Sequence, residues 1–382
     1  MLFRFLKQTT FPVRCFHSDI TAYRGFSGLF NRTAFYYIIL ITRAKSLPMS
    51  AKTKITKKAN VLDRRVSIAP MMDCTDRHDR YFLRLISSAV LLYTEMITTG
   101  AILHGERDRF LKYNQSEHPL ALQLGGSDPG DLARCAEIAS EYGYDEVNLN
   151  VGCPSDRVQN GKFGVCLMKE PEVVAKCVRS MREAVDLPVT VKTRIGVDNC
   201  DSWDEFVHFI ETVANGGCDT FIIHARKAWL NGLSPKENRE IPPLCYETVY
   251  RLKQKYPEFS ISINGGIMTV AETATHLRHV DGVMIGRAAY QNPWFLSEIE
   301  NEILNGTAPM NREVVLDRYI EYVDRQIADG VPFYSMARHV LGLYKGMRGA
   351  RLWRRYISEK GPIVGANTGV LRYASSQIFE RS

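Results

Sequence analysis

Nine cysteines are scattered through the 382 residues without one CxxC pair, and the count is odd. That excludes a disulfide framework and a zinc ribbon, and fits a reducing compartment. Acid is missing in two places. Residues 1–60 hold eleven Lys and Arg against the single acid Asp19, and no acid occurs between Asp329 and Glu359. The formal charge of +7 is therefore misleading, since 38 basic and 41 acidic residues remain from 61 onward. A near-neutral body must meet any polyanion with a local patch rather than with the field of the whole molecule. Long hydrophobic runs are also missing. The stretch Ala34 to Ile41 is too short to span a bilayer, and no small-residue cleavage site follows a signal core, so no membrane partner is expected. Residues 1–60 read as a basic extension. Either they hold an organellar transit peptide, or residues 1–48 precede the true start at Met49, in which case the protein is cytoplasmic.

From Val66 onward, short runs rich in Val and Ile recur, each followed by a polar turn and a segment of helical period. The runs are Val66 to Met71, Val90 to Met96, Leu120 to Leu124, Glu146 to Val151, Val189 to Thr193, Thr220 to His224, Ser260 to Asn264 and Gly282 to Gly286. Eight βα repeats predict a (β/α)8 TIM barrel over residues 61–308, with a doubly wound open sheet as the alternative. Residues 309–382 carry helix-period segments and no strand candidate, which predicts a small all-helical C-terminal domain. Arg338, Lys345, Arg348, Arg351, Arg354 and Arg355 fill its acid-free stretch, with Tyr344, Trp353 and Tyr356 interleaved. The spacing predicts that Arg348, Arg351 and Arg355 share one helix face and contact a phosphate backbone.

In a barrel of this kind the chemistry collects at the C-terminal ends of the strands. The fourth run ends in Asn148-Leu149-Asn150-Val151-Gly152-Cys153-Pro154, which sets a lone thiol on a Gly-Pro turn, so Cys153 is the candidate catalytic residue. Runs seven and eight end in Asn264-Gly265-Gly266 and Gly286-Arg287. These are the loops where barrels hold a phosphate on backbone N–H groups, and an Arg fork adds to them. Lys192 points into the mouth and needs an anionic partner there. A reduced flavin supplies one at its N1 and O2 edge. Gln123 is suited to a ring carbonyl or ring N–H, and His224 to phosphate or ring. Ala69-Pro70-Met71-Met72 closes the first strand. No metal site is expected.

Ala69-Pro70-Met71, Asn148 to Pro154, Val191 to Gly196, His224-Ala225-Arg226 and Asn264 to Ile267 together resemble the tRNA-dihydrouridine synthases, in order over about residues 64 to 357. The segment WLNGLSPKENREIPP from Trp229 to Pro243 looks like the A subfamily, as do Thr75-Asp76-Arg77 and Tyr81-Phe82-Leu83-Arg84. That subfamily acts on uridines 20 and 20a of the D-loop. The resemblance implies an FMN-bearing barrel, NADPH as electron source and a helical tRNA-binding domain. FMN would be held by Pro70, Met71, Met72, Gln123, Lys192, His224, Asn264, Gly265, Gly266, Gly286 and Arg287. The tRNA would meet Asn150, Arg226, Lys236, Arg348, Arg351 and Arg355, and a monomer is expected. Hydride reaches C6 of an extruded uracil while Cys153 protonates C5, and a thiol of ordinary acidity is protonated at neutral pH. One departure is Cys74, where the subfamily often has an aromatic; it brings a second thiol toward the flavin. Two rival functions remain: a dihydroorotate-dehydrogenase-like flavoenzyme acting on a free pyrimidine, and a tRNA-binding protein without catalysis.

Overall fold

The computed structural model describes residues 62–309 and 311–379, so both readings of residues 1–48 lie outside the described residues. Eight parallel strands form one sheet: β1 (Val66–Ile68), β2 (Leu92–Thr98), β3 (Leu120–Gly125), β4 (Glu146–Val151), β5 (Val189–Arg194), β6 (Thr220–His224), β7 (Ser260–Asn264) and β8 (Gly282–Ile285). Their order is β1-β8-β7-β6-β5-β4-β3-β2. The ends of that order meet, because Ile68 N donates to Leu91 O at 2.9 Å and Leu91 N donates to Val66 O at 3.1 Å. The sheet is thus a closed barrel and not a doubly wound open sheet. Closure leaves no exposed edge and gives the barrel an inside and an outside.

Because successive side chains alternate between faces, each strand serves two cores. Val147, Leu149 and Val151 of β4, with Val191 of β5 and Phe221 and Ile223 of β6, join the large core between the barrel and its helices. The apolar core inside is small: Ala69, Leu91, Tyr93, Ala121, Ile222 and Met284. Much of the remaining interior is polar, with Gln123, Glu146, Asn148, Asn150, Thr190 and Asn264 all buried.

The helices start where the sequence supplies caps. Asp76 accepts from the N–H groups of His78 and Asp79 at the head of the helix Arg77–Ile86. Ser202 with Glu205 and Thr269 with Glu272 form capping boxes at Trp203–Asn215 and Val270–His276. Asp128 and Pro129 start Pro129–Tyr142, which Gly143 ends in the left-handed conformation at φ 88°.

After the barrel come the helices Arg312–Ala328, Phe333–Ala337, Ala350–Lys360 and Gly369–Phe379. Of these, Arg312–Ala328 seats on the first barrel helix, Arg77–Ile86. Tyr322 stacks on Tyr81 with centroids 3.9 Å apart, and its hydroxyl lies 2.7 Å from His78 Nδ1. Asp76 ties the same junction from below, with Arg338 Nη2 at 2.9 Å and His339 Nε2 at 3.0 Å. No helix among the described residues is long and apolar enough to cross a membrane.

One expectation for the acid-free stretch is corrected. Arg348 does not share the helix face, because Gly349 at φ 84° stands as N-cap and the helix begins at Ala350. The interleaved aromatics are packing residues. Tyr344 and Trp353 are fully buried against each other, 4.9 Å apart and edge to face, and Trp353 Nε1 donates to Val340 O at 3.0 Å. Tyr356 pairs with Tyr373. Accordingly Trp353→Ala should lower stability by about 3–5 kcal/mol, read from urea denaturation. A loss below about 1 kcal/mol would mean that the ring is not part of the core.

Candidate active site

Cys153 sits just past the end of β4 and is half-buried. Its backbone is held on both sides. Asn150 Oδ1 accepts from Gly152 N at 3.1 Å and Cys153 N at 3.0 Å, while Cys153 O accepts from Val165 N at 3.0 Å. Arg194 Nε donates to Gly152 O at 2.8 Å. Gln159 Nε2 spans Pro154 O at 3.0 Å and Leu230 O at 2.9 Å, which ties the thiol loop to the loop after β6. Gly164, at φ 68°, is required here, since a Cβ would come 2.7 Å from Cys153 O and 2.2 Å from Val158. The thiol itself lies 3.5 Å from the Ser155 hydroxyl.

Beside it, Lys192, Arg194 and His224 come from adjacent strands, with Arg194 and His224 in register. None of the three forms a salt bridge among the described residues. Lys192 Nζ donates to Asn264 Oδ1 at 3.2 Å, and Asn264 Nδ2 donates in turn to Met284 O at 2.7 Å. Burial, with Arg194 adding to it, pushes the Lys192 ammonium down to about 7, against a smaller upward pull from Cys153. Burial also lowers Arg194 to about 10 and holds His224 well below the usual imidazole range, aided there by Arg194 and Lys192. Nitrogen bases that give up protons this readily, with no carboxylate beside them, make a site suited to an anionic group.

The loops after β7 and β8 flank that cluster. Gly265 and Gly266 have φ of 120° and 75°. A Cβ on Gly265 would meet the His224 ring at 2.7 Å, and one on Gly266 would meet Leu244 at 2.6 Å, so glycine is needed at both. Gly286 is the N-cap of Arg287–Gln291. The Arg287 side chain, expected as a phosphate fork, is engaged by Glu240 at 2.7 Å with both groups about half exposed. Pro70, Met71 and Met72 form the loop after β1. Met71 N donates to Thr75 Oγ1 at 3.0 Å, Asp73 stands at φ 60°, and Met72 is exposed. Gln123 and Asn150 are hydrogen-bonded to each other inside the barrel.

The expected tRNA residues divide. Arg351, Arg355, Arg348 and Lys236 lie toward solvent. Arg226 is tied back, donating to Pro242 O and to Glu240 O, while its buried Nε has no partner among the described residues. Cys74 faces Asp79 and Arg338 at the junction with the C-terminal helices, and burial and Asp79 push its thiol up to about 11. Arg194 is a site residue that the sequence reading does not single out, although it stands in the Lys192-Thr193-Arg194 cluster. It also donates to Lys227 O and Asn238 O, both at 3.1 Å, and so ties the loop after β4 to two points of the long segment after β6. Among the described residues, no group of three or more His, Cys, Asp or Glu is arranged to hold a metal.

A closed parallel barrel with a thiol, buried cations and glycine loops gathered at one rim has the build of a barrel enzyme with an anionic ligand. The family description "Dihydrouridine synthase (Dus)" matches residues 67–369, and the chain belongs to that family of oxidoreductases. It is 58% identical over 328 residues to a tRNA-dihydrouridine(20/20a) synthase of Shewanella oneidensis, covering 86% of this chain and 97% of the other. It is 57% identical over 316 residues to the protein of that name in Vibrio cholerae, covering 82% and 96%. With the one in Salmonella typhi it shares 56% over 319 residues, covering 83% and 96%.

The depressed Lys192 makes the ligand-free protein sensitive to pH. Its folded-state value lies below that of the unfolded chain, so the cost of burying the charge is fully present below about pH 7 and is relieved as pH rises toward the ordinary lysine range. Stability should therefore rise by about 1.4 kcal/mol per pH unit above 7 from this group. Denaturation of parent and Lys192→Met between pH 7 and 9 should show the slope in the parent and its loss in the variant. Equal slopes would mean that Lys192 is charged throughout.

Proposed function

We propose that this chain reduces the C5–C6 double bond of uridines 20 and 20a in the D-loop of tRNA, with FMN as the bound flavin and NADPH as the electron source. The observation that carries the reading is the pinned Cys153 beside buried cations that lack any carboxylate. The names of the relatives support the choice of substrate. The residues fit a flavin mononucleotide. Its phosphate would rest on Gly265, Gly266 and Gly286 with Arg287, where a Cβ at either of the first two would intrude on neighbours. Lys192 would take the N1 and O2 edge, Gln123, Asn264 and His224 the remaining polar contacts, and Pro70, Met71 and Met72 one flank. When bound, FMN supplies the hydride for C6 of the uracil.

The chain's own residues do the rest. Cys153 Sγ donates a proton to C5, where negative charge develops, and becomes a thiolate. Arg194 holds the neighbouring Gly152 O through Nε at 2.8 Å, and the Ser155 hydroxyl stands 3.5 Å from the sulfur, in reach to donate to it. Solvent returns the proton. Asn150 has both backbone bonds on its oxygen and one bond to Gln123 on its nitrogen, leaving one N–H for a carbonyl of the extruded base. The helical segment, as a tRNA-binding domain, offers Arg351 and Arg355 on the helix Ala350–Lys360, with Arg348 just before it. A free-pyrimidine reductase would have no use for these arginines.

Cys153→Ala should leave flavin retention and NADPH oxidation intact and slow dihydrouridine formation by about 10² to 10⁴. Product formation at the parent rate would assign the proton to another group. Replacing Arg348, Arg351 and Arg355 with Ala should weaken tRNA binding and flatten its log–log salt dependence by about 0.7 to 0.9 for each phosphate no longer neutralised. Affinities across a salt series for parent and variant measure this, and an unchanged slope would mean that tRNA docks elsewhere.

A further inference from the structure

Five of the polar residues inside the barrel, Glu146, Thr190, Asn148, Gln123 and Asn150, form one unbroken line. Arg64 donates to Glu146 Oε2 through Nε at 3.0 Å and Nη2 at 2.6 Å. Glu146 Oε1 accepts from Tyr93 OH at 2.5 Å and from Thr190 Oγ1 at 2.6 Å. Thr190 Oγ1 accepts from Asn148 Nδ2, Asn148 Oδ1 from Gln123 Nε2, and Gln123 Oε1 from Asn150 Nδ2, each at 2.8 Å. The line ends on the backbone N–H groups of Gly152 and Cys153. Glu146, Asn148, Gln123 and Thr190 are at most 1% exposed. It therefore runs from the foot of β4 to the catalytic turn through space that such barrels ordinarily fill with branched apolar side chains.

Each primary amide can face either way, but the line cannot. At the foot, a carboxylate held by Arg64 only accepts, so the Thr190 proton points to it and the Thr190 oxygen is left to accept from Asn148. At the top, two backbone N–H groups only donate, so Asn150 turns its oxygen to them and its nitrogen to Gln123. Both ends demand the same direction through Asn148 and Gln123. Reversing any one amide would set N–H against N–H inside the barrel, where an unmade hydrogen bond costs about 1–3 kcal/mol.

We infer that Glu146, Thr190 and Asn148 are positioning residues for the reaction: they fix the polarity of a hydrogen-bond column that holds the Cys153 turn and aims the free N–H of Asn150 into the pocket. None of them touches the reacting atoms. The inference rests on the function proposed above only for what the turn is held for; the column's grip on Cys153 can be read without substrate.

Two substitutions at Thr190 and one at Glu146 test it. Thr190→Val keeps the shape and removes the link, whereas Thr190→Ser keeps the hydroxyl. Glu146→Gln must keep an oxygen toward Arg64, which turns its NH2 to Thr190 and removes the acceptor that fixes the Thr190 proton, so the foot no longer imposes a direction on the column. Pre-reduced Thr190→Val should convert uridine in tRNA several-fold more slowly in a single turnover, and Glu146→Gln about tenfold more slowly. Reduction of the flavin by NADPH and tRNA affinity should be unchanged in both, and Thr190→Ser should match the parent. Alkylation of Cys153 by iodoacetamide, followed by peptide mass spectrometry without tRNA, should change rate in Thr190→Val and not in Thr190→Ser. Parent rates of both turnover and alkylation in Thr190→Val would overturn the inference, as would an equal loss in Thr190→Val and Thr190→Ser. If Glu146→Gln fails to fold, the Thr190 pair decides alone. A parent protein inert toward tRNA would refute the proposed function instead, while the alkylation rates would still report on the column.

Discussion

A carboxylate buried at the floor of the barrel is the constraint on which the interior depends. Glu146 is fully buried, and it is tolerable there because Arg64 and two hydroxyls satisfy it. Once that charge is fixed, the next acceptor, the next amide and the next strand follow in order. The large apolar core outside the barrel supplies stability, as such cores do. The polar column inside supplies direction, so a turn at the rim is oriented by a group at the opposite end of the strand.

The second constraint is electrostatic and lies at the rim. Lys192, Arg194 and His224 stand in adjacent strands with their protons loosened by burial and by one another. Such an arrangement is unfavourable in isolation and favourable around an anion. Arg194 joins the two constraints, because it holds Gly152 O in the Cys153 turn and also contributes charge to the cluster. The Cys153 thiol, the basic cluster and the glycine loops are therefore parts of one structure.

Much of this is legible in the chain. Runs at Glu146 to Val151, Thr220 to His224 and Ser260 to Asn264 coincide with strands, because an Asp or a Gly bounds each on at least one side. The run Val66 to Met71 overshoots its strand, since Pro70 lacks the N–H a ladder needs and the strand ends at Ile68. The column escapes a reading by hydrophobic runs although its signal is present. In Glu146-Val147-Asn148-Leu149-Asn150-Val151 the polar residues occupy every second position, and only separating the inward face from the outward one reveals them as a line. Spacing alone puts Arg348 on a helix that Gly349 delays, and nothing local marks Trp353 and Tyr344, interleaved with the basic residues, as the buried pair that the tertiary structure makes of them. The ion pair between Arg287 and Glu240 joins residues 47 positions apart, a separation at which local patterns carry no information.

The most direct measurement of the central claim uses tRNA that lacks dihydrouridine, incubated with the purified, flavin-loaded protein and NADPH, with each uridine then mapped by mass spectrometry. A gain of two mass units at positions 20 and 20a, and at no other uridine, is the predicted result. Unmodified tRNA alongside reduction of a free pyrimidine by the same preparation would contradict it.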